Sequence, residues 1–130
     1  IHVYGGAQWF NLSRGCVESI YQEYSKHPQY KHYFKTAMAP DELLFNTLIF
    51  NSPYRDTAYL YSPIGEYPGL EKTTYTHYIV YRGGMKVFQA EDFDSLMASN
   101  KMFCRKVTTD QSSVLLDLID KKRSEDEQQS

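Results

Sequence analysis

Residues Thr36–Pro53, TAMAPDELLFNTLIFNSP, hold the clearest element of the chain. Pro40 suits the first position of a helix, where its missing N–H has no intrahelical acceptor to lose. Asp41 and Glu42 then fall in the first turn, where free N–H groups favour negative charge. Leu44, Thr47 and Leu48 recur at helical spacing, flanked by Leu43 and Phe50, so the pattern predicts a helix with one side in the core. Asn51-Ser52-Pro53 ends it, because the residue before a proline is driven out of helical geometry. A carboxylate pair is therefore expected at the mouth of a partly buried helix, a firm platform for a general base. Glu42 has a plainer reading as well. A first-turn acid stabilises its own helix by about 0.3–1 kcal/mol and needs no further role. The helix N-terminus keeps such a residue ionised but also makes it a weaker base, unless burial offsets that.

Upstream of this element, Ile1–Tyr4 reads as a short strand broken by Gly5-Gly6, and Ala7–Leu12 as a second strand-like run with Trp9 as its largest side chain. Ser13 is a plausible N-cap. Val17, Ile20, Tyr21 and Tyr24 then repeat at helical spacing from Arg14 to about Lys26, and Pro28 closes that helix. Gln29–Lys35 is polar and aromatic, suited to a short helix or turn. Downstream, Tyr54–Thr74 carries Pro63, Gly65, Pro68 and Gly69 and reads as a long aromatic loop. Tyr75–Tyr81 is the clearest strand, rich in β-branched and aromatic residues. Arg82-Gly83-Gly84 follows as a turn, then a short extended piece at Lys86–Phe88. Glu91–Ser99 is expected to be a helix with Phe93, Leu96 and Met97 inward. Met102–Val107 reads as a short strand or loop. Asp110 is the expected cap of a last helix from Gln111 to about Lys122, striped by Val114, Leu115 and Leu118. Ser124–Ser130 lacks an apolar anchor and is expected to be disordered. The class is thus α/β or α+β, with one domain over 1–122 and a polar tail over 123–130.

With 130 residues, the chain has one domain's worth of length. Its 42% hydrophobic content suffices for a core, and 12 Tyr suit grooves and stacking surfaces. A net charge of −2 gives no general attraction to nucleic acid. No apolar run approaches the roughly 20 residues of a membrane span, so membrane contact is not evident in this segment. The chain opens at Ile1 in a strand-like run, which reads as a piece of a longer protein with any targeting segment upstream. Cys16 and Cys104 could pair, but two cysteines make no disulfide framework, and free thiols in a reducing compartment fit them better.

The four histidines show no ligand spacing with each other or with the cysteines, so no metal is expected. Asp92-Phe93-Asp94 spells the Asp-x-Asp of many metal-dependent sugar-nucleotide enzymes, yet its position in a helix's first turn points to the dipole instead. No phosphate-binding glycine loop is present. The basic residues Arg82, Lys86, Arg105 and Lys106 are separated from the acidic first turns. Arg105-Lys106 ends an otherwise apolar run. Such a pair can hold a diphosphate, with arginine as a fork and lysine as a point charge, or it can be ordinary surface charge.

Three blocks together resemble the C-terminal part of the core-2/I-branching β-1,6-N-acetylglucosaminyltransferase family, which includes protein xylosyltransferases and bacterial relatives. GGAQWFNLSRGCVESI, Gly5–Ile20, is similar to that family's glycine–aromatic segment running through Ser-Arg into a helix. APDELLFNTLIFNSP, Ala39–Pro53, resembles its Pro-Asp-Glu helix. DFDSLMASNKMFCRKV, Asp92–Val107, resembles its closing Asp-x-x-x-Leu to Lys-Phe block. The blocks occur in the family's order and span roughly residues 1–122. The resemblance implies a GT-A-like fold with a short mixed sheet and flanking helices, and an inverting transferase that needs no metal. Glu42 would match the catalytic base and Lys106 the diphosphate-binding lysine. Arg105, Arg82 and Lys86 would be candidates for the partner arginine's role. Asp41, Trp9 and Tyr81 would line the acceptor side, although core packing also accounts for Trp9.

The partners implied are a UDP-sugar donor, carrying N-acetylglucosamine or xylose, and a glycan or glycoconjugate acceptor. Two departures stand out. Cys104-Arg105-Lys106-Val107 replaces the usual Ala-x-Lys-Phe ending. The family's uridine pocket lies upstream of the matching blocks, so this stretch alone is expected to show no turnover. Without the family's usual cysteine set, the chain reads as a bacterial-type, cytoplasmic relative, or a Golgi-type one if an anchor lies upstream. A Tyr-rich carbohydrate-binding module, with Glu42 and Arg105-Lys106 purely structural, is the competing reading, and a ligand-free interaction domain is a third.

Overall fold

A computed structural model describes residues 1–58, 69–70 and 74–130. Most of the long loop expected between Tyr54 and Thr74 lies outside the described residues. The chain forms two compact units, Ile1–Glu66 and Tyr67–Ser130, with mixed α/β content.

In the first unit, α1 (Arg14–Lys26), α2 (Gln29–Phe34) and α3 (Pro40–Phe50) surround one core. Ser13 caps α1 as its sequence suggests, its hydroxyl accepting the Cys16 N–H at 3.3 Å. The core consists of Cys16, Ile20, Tyr30, Phe34, Leu48 and Ile49. The last five residues of α3, Asn46 to Phe50, are all buried. A segment covered on every side shows little amphipathicity, so a one-sided stripe understates how central this helix is.

The two strands expected before α1 do not form. Ile1 to Leu12 carries no strand, and its backbone groups are met by α3 side chains instead. His2 N–H donates to Asn51 Oδ1 at 3.3 Å, and Asn51 Nδ2 donates back to the His2 carbonyl at 2.7 Å. Thr47 Oγ1 accepts the Tyr4 N–H at 3.1 Å and donates to the Tyr4 carbonyl at 3.3 Å. Gly6 N–H donates to the Glu42 carbonyl at 3.1 Å. Backbone N–H and C=O groups pair wherever a partner is at hand, and amide and hydroxyl side chains of α3 take the place of a neighbouring strand here.

In the second unit, β1 (His77–Ile79) and β2 (Phe103–Arg105) pair in parallel, with Tyr78 opposite Cys104. The expected mixed sheet is thus a parallel pair among the described residues. Parallel pairing demands a crossover, and the connection carries α4 (Phe93–Ala98). Beyond β1 the chain turns back on itself. Tyr81 bridges Met85 around Arg82-Gly83-Gly84, and Gly83 takes the φ of 68° that the turn requires. Phe88, Leu96 and Leu115 form the core, with Tyr78, Val80, Phe93, Cys104, Val107 and Ile119 packed on it.

The last helix, α5, spans Ser113–Gln129. Asp110 does not cap it. Ser112 precedes it instead, with a hydroxyl that accepts the Thr108 N–H and donates to the Phe88 carbonyl at 2.6 Å. The helix also continues through the stretch expected to be disordered. From Asp120 onward every residue is exposed, and local pairs such as Lys122–Asp126 at 2.6 Å hold it. Among the described residues, no helix is long and apolar enough to cross a membrane.

Candidate functional site

The entry to α3 is built by Ala39, which takes left-handed backbone geometry (φ 52°) and swings the chain into the helix. Its carbonyl accepts the Glu42 N–H at 3.1 Å and the Leu43 N–H at 3.3 Å. Asp41 and Glu42 occupy the first turn as expected, both half-buried. The Glu42 carbonyl is anchored twice, by Gly6 N–H and by Asn46 Nδ2 at 2.8 Å. Its carboxylate has no hydrogen-bond or ion-pair partner among the described residues, and neither does that of Asp41. The backbone of Glu42 is therefore held while its acid group stays available. One turn further on, half-exposed Phe45 packs against Phe10 with ring centroids 5.7 Å apart. Trp9 is half-buried in the same unit.

The second unit contains an open cleft of about 490 Å³. Tyr78, Val80 and Phe88 supply apolar lining, and Arg82, Lys86, Asp92 and Ser95 supply polar groups. The tight turn at Gly83-Gly84 explains how Arg82 and Lys86 come to share it: it folds the chain back so that Lys86 N–H donates to the Val80 carbonyl at 2.9 Å. Lys86 Nζ reaches Asp92 Oδ1 at 2.5 Å and lies 5.7 Å from the Phe88 ring centroid. The other Asp92 oxygen accepts the Gln89 N–H at 3.0 Å. Burial pushes the Asp92 carboxyl up, but the Lys86 ammonium and the Gln89 N–H outweigh it and hold the group below the usual carboxylate range.

Arg105 and Lys106 occupy a different place in this unit. Arg105 closes β2 opposite Ile79. Lys106 binds through its backbone, donating its N–H to the Lys86 carbonyl at 3.2 Å and accepting the Phe88 N–H at 2.9 Å. Its side chain is exposed, and neither residue lines the cleft. Tyr81 is 59% exposed beside the turn. The structure thus brings Arg82 and Lys86 together in one cleft, and ties the backbone of Lys106 to that of Lys86 and Phe88. Cys16 and Cys104 are both free, and burial raises the pKa of each thiol.

No protein-family model, curated protein or solved structure matches the chain.

Among the described residues, no group of three or more His, Cys, Asp or Glu is placed to hold a metal ion. The first unit offers a half-buried acid whose carboxylate has no partner among the described residues, one turn before the Phe10–Phe45 ring pair; the second offers two cations beside an apolar lining. Sequence reasoning missed Asp92 as the partner of Lys86, because a six-residue spacing across a loop follows no helical or strand rule. It also missed Asn46, whose role as a backbone anchor is visible only once the N-terminal segment lies along α3.

Proposed function

We propose that the chain is the acceptor- and leaving-group-binding part of an inverting, metal-independent glycosyltransferase with a GT-A-like fold. The observation that carries this reading is the Glu42 carboxylate, without a partner among the described residues, at the head of a helix whose last five residues are buried and whose start is pinned by Gly6 and Asn46. The three motif blocks support it. In this reading Glu42 takes the proton from an acceptor hydroxyl as that oxygen attacks the anomeric carbon of a UDP-sugar. The new glycosidic bond forms on the face opposite the breaking one, and UDP leaves with the bonding electron pair. Fixed cations stabilise the charge that develops on the diphosphate. Lys106 and Arg105 serve that role, with Arg82 and Lys86 contributing from their cleft, and Asp41, Trp9 and Tyr81 contact the acceptor. The free thiols suit a reducing compartment, which supports a cytoplasmic, bacterial-type relative.

The test is transfer from UDP-N-acetylglucosamine or UDP-xylose, measured on protein that includes the upstream uridine-binding part. Glu42→Gln is nearly isosteric and is expected to reduce transfer by at least about 100-fold with UDP affinity unchanged. Retained turnover removes Glu42 from the role of base. Lys106→Ala is expected to weaken UDP binding about ten-fold by calorimetry, and unchanged affinity removes it from the site. Chelation of divalent ions is expected to leave transfer unaltered.

The exposed tyrosines favour one second reading, a carbohydrate-binding module: Tyr21, Tyr33, Tyr75 and Tyr81 are all well exposed. In that case glycans bind without UDP, and Glu42→Gln leaves their affinity unchanged.

A further inference from the structure

The cleft of the second unit holds one cation that is free and one that is already taken. The Arg82 guanidinium has no partner among the described residues. Lys86 Nζ is held by Asp92 Oδ1 at 2.5 Å. The two members of that ion pair are unequally placed. Asp92 has a side chain only 12% exposed, whereas Lys86 is 45% exposed. The carboxylate is also fixed from a second side, by the Gln89 N–H at 3.0 Å. An ammonium on a four-carbon stem keeps two further donors and can swing; a shielded carboxylate bonded at both oxygens cannot. When another anion enters the cleft, Lys86 is therefore the partner able to move.

Charge points the same way. Arg82, Lys86 and Asp92 together sum to +1, and without Asp92 the cleft would carry +2. A diphosphate must outcompete a resident carboxylate for one of its two cations and also approach that negative charge. We propose that Asp92 is an internal competitor for the diphosphate. Lys86 passes from the Asp92 carboxylate to the diphosphate oxygens as the leaving group forms, and returns to Asp92 as the nucleoside diphosphate departs. Asp92 thereby lowers the affinity for the product and favours its release. This inference rests on the reading of the cleft as part of the diphosphate site.

Calorimetric titration of the full chain with inorganic pyrophosphate, and separately with UDP, tests it. Asp92→Asn and Asp92→Ser both remove the charge and keep an oxygen for the Gln89 N–H. Thermal melting shows which of them keeps the native turn. Each is expected to tighten pyrophosphate binding about two- to five-fold, and Arg82→Gln to weaken it about ten-fold. The gain from Asp92→Asn is expected to vanish in a Lys86→Gln background, because no lysine then remains to be handed over. If the gain persists there, simple removal of a repelling charge explains it and the hand-over is overturned. Unchanged or weaker binding in both Asp92 variants, with Arg82→Gln still weakened, overturns the competitor role but leaves the diphosphate site standing. Affinity unmoved by both Arg82→Gln and Lys86→Gln overturns the reading of the cleft itself.

Discussion

Asn46 anchors the N-terminal segment. Its amide donates to the Glu42 carbonyl at 2.8 Å and reaches the Ala7 carbonyl at 3.5 Å, from a side chain almost wholly buried. Gly6 lies so close that a Cβ there would fall 2.7 Å from Asn46 Oδ1. Glycine is needed here for proximity rather than for backbone geometry. Gly6→Ala forces Asn46 off its two carbonyls or pushes the segment away, and is expected to cost about 1–3 kcal/mol in urea unfolding. The cost is expected to shrink in an Asn46→Ala background, where the clashing atoms are gone. An equal cost in both backgrounds would show that Asn46 is not what Gly6 accommodates. The same two residues support Glu42, so the available carboxylate and the close glycine belong to one local arrangement.

Among the helices, α3 and α5 are opposites. α3 is wrapped by its unit over its last five residues, and tertiary packing is what makes an 11-residue helix stable. Among the described residues, α5 packs near its start, through fully buried Leu115 and half-buried Ile119. Its last turns depend on pairs such as Lys122–Asp126, each contributing about 0.2–0.5 kcal/mol. Deleting Ser124–Ser130 is therefore expected to reduce the helical circular-dichroism signal while shifting unfolding stability by less than about 0.5 kcal/mol. A large loss of stability would mean that this end packs against something after all. The polar composition of that stretch is correctly read as lacking an anchor, but lacking an anchor did not make it non-helical. Its residues are mostly good helix formers continuing a helix already nucleated by Leu115.

At the scale of the molecule, each unit has its own core, one around Leu48 and Ile49 and the other around Phe88, Leu96 and Leu115. Leu115→Ala empties a completely buried position and is expected to cost about 2–5 kcal/mol. Native-state hydrogen exchange should show that loss at the amides of β1, β2 and α4; protection there equal to wild type would contradict the assignment of this core. Features encoded within a few residues were legible in the chain itself: the Pro40 start and Asn51-Ser52-Pro53 stop of α3, the Ser13 cap of α1, the centre of β1 and the Arg82–Gly84 turn. Glu42 and its first-turn position belong to that set, because caps and breakers act on their own neighbours. Partners distant in sequence were decided only by the tertiary structure. It set Ile1 to Ala7 along α3 instead of into a sheet, paired β1 with β2 in parallel, gave Ser112 to the Phe88 carbonyl, and gave Lys86 to Asp92. A backbone or charged group accepts any partner of the right chemistry, so packing selects which one it meets.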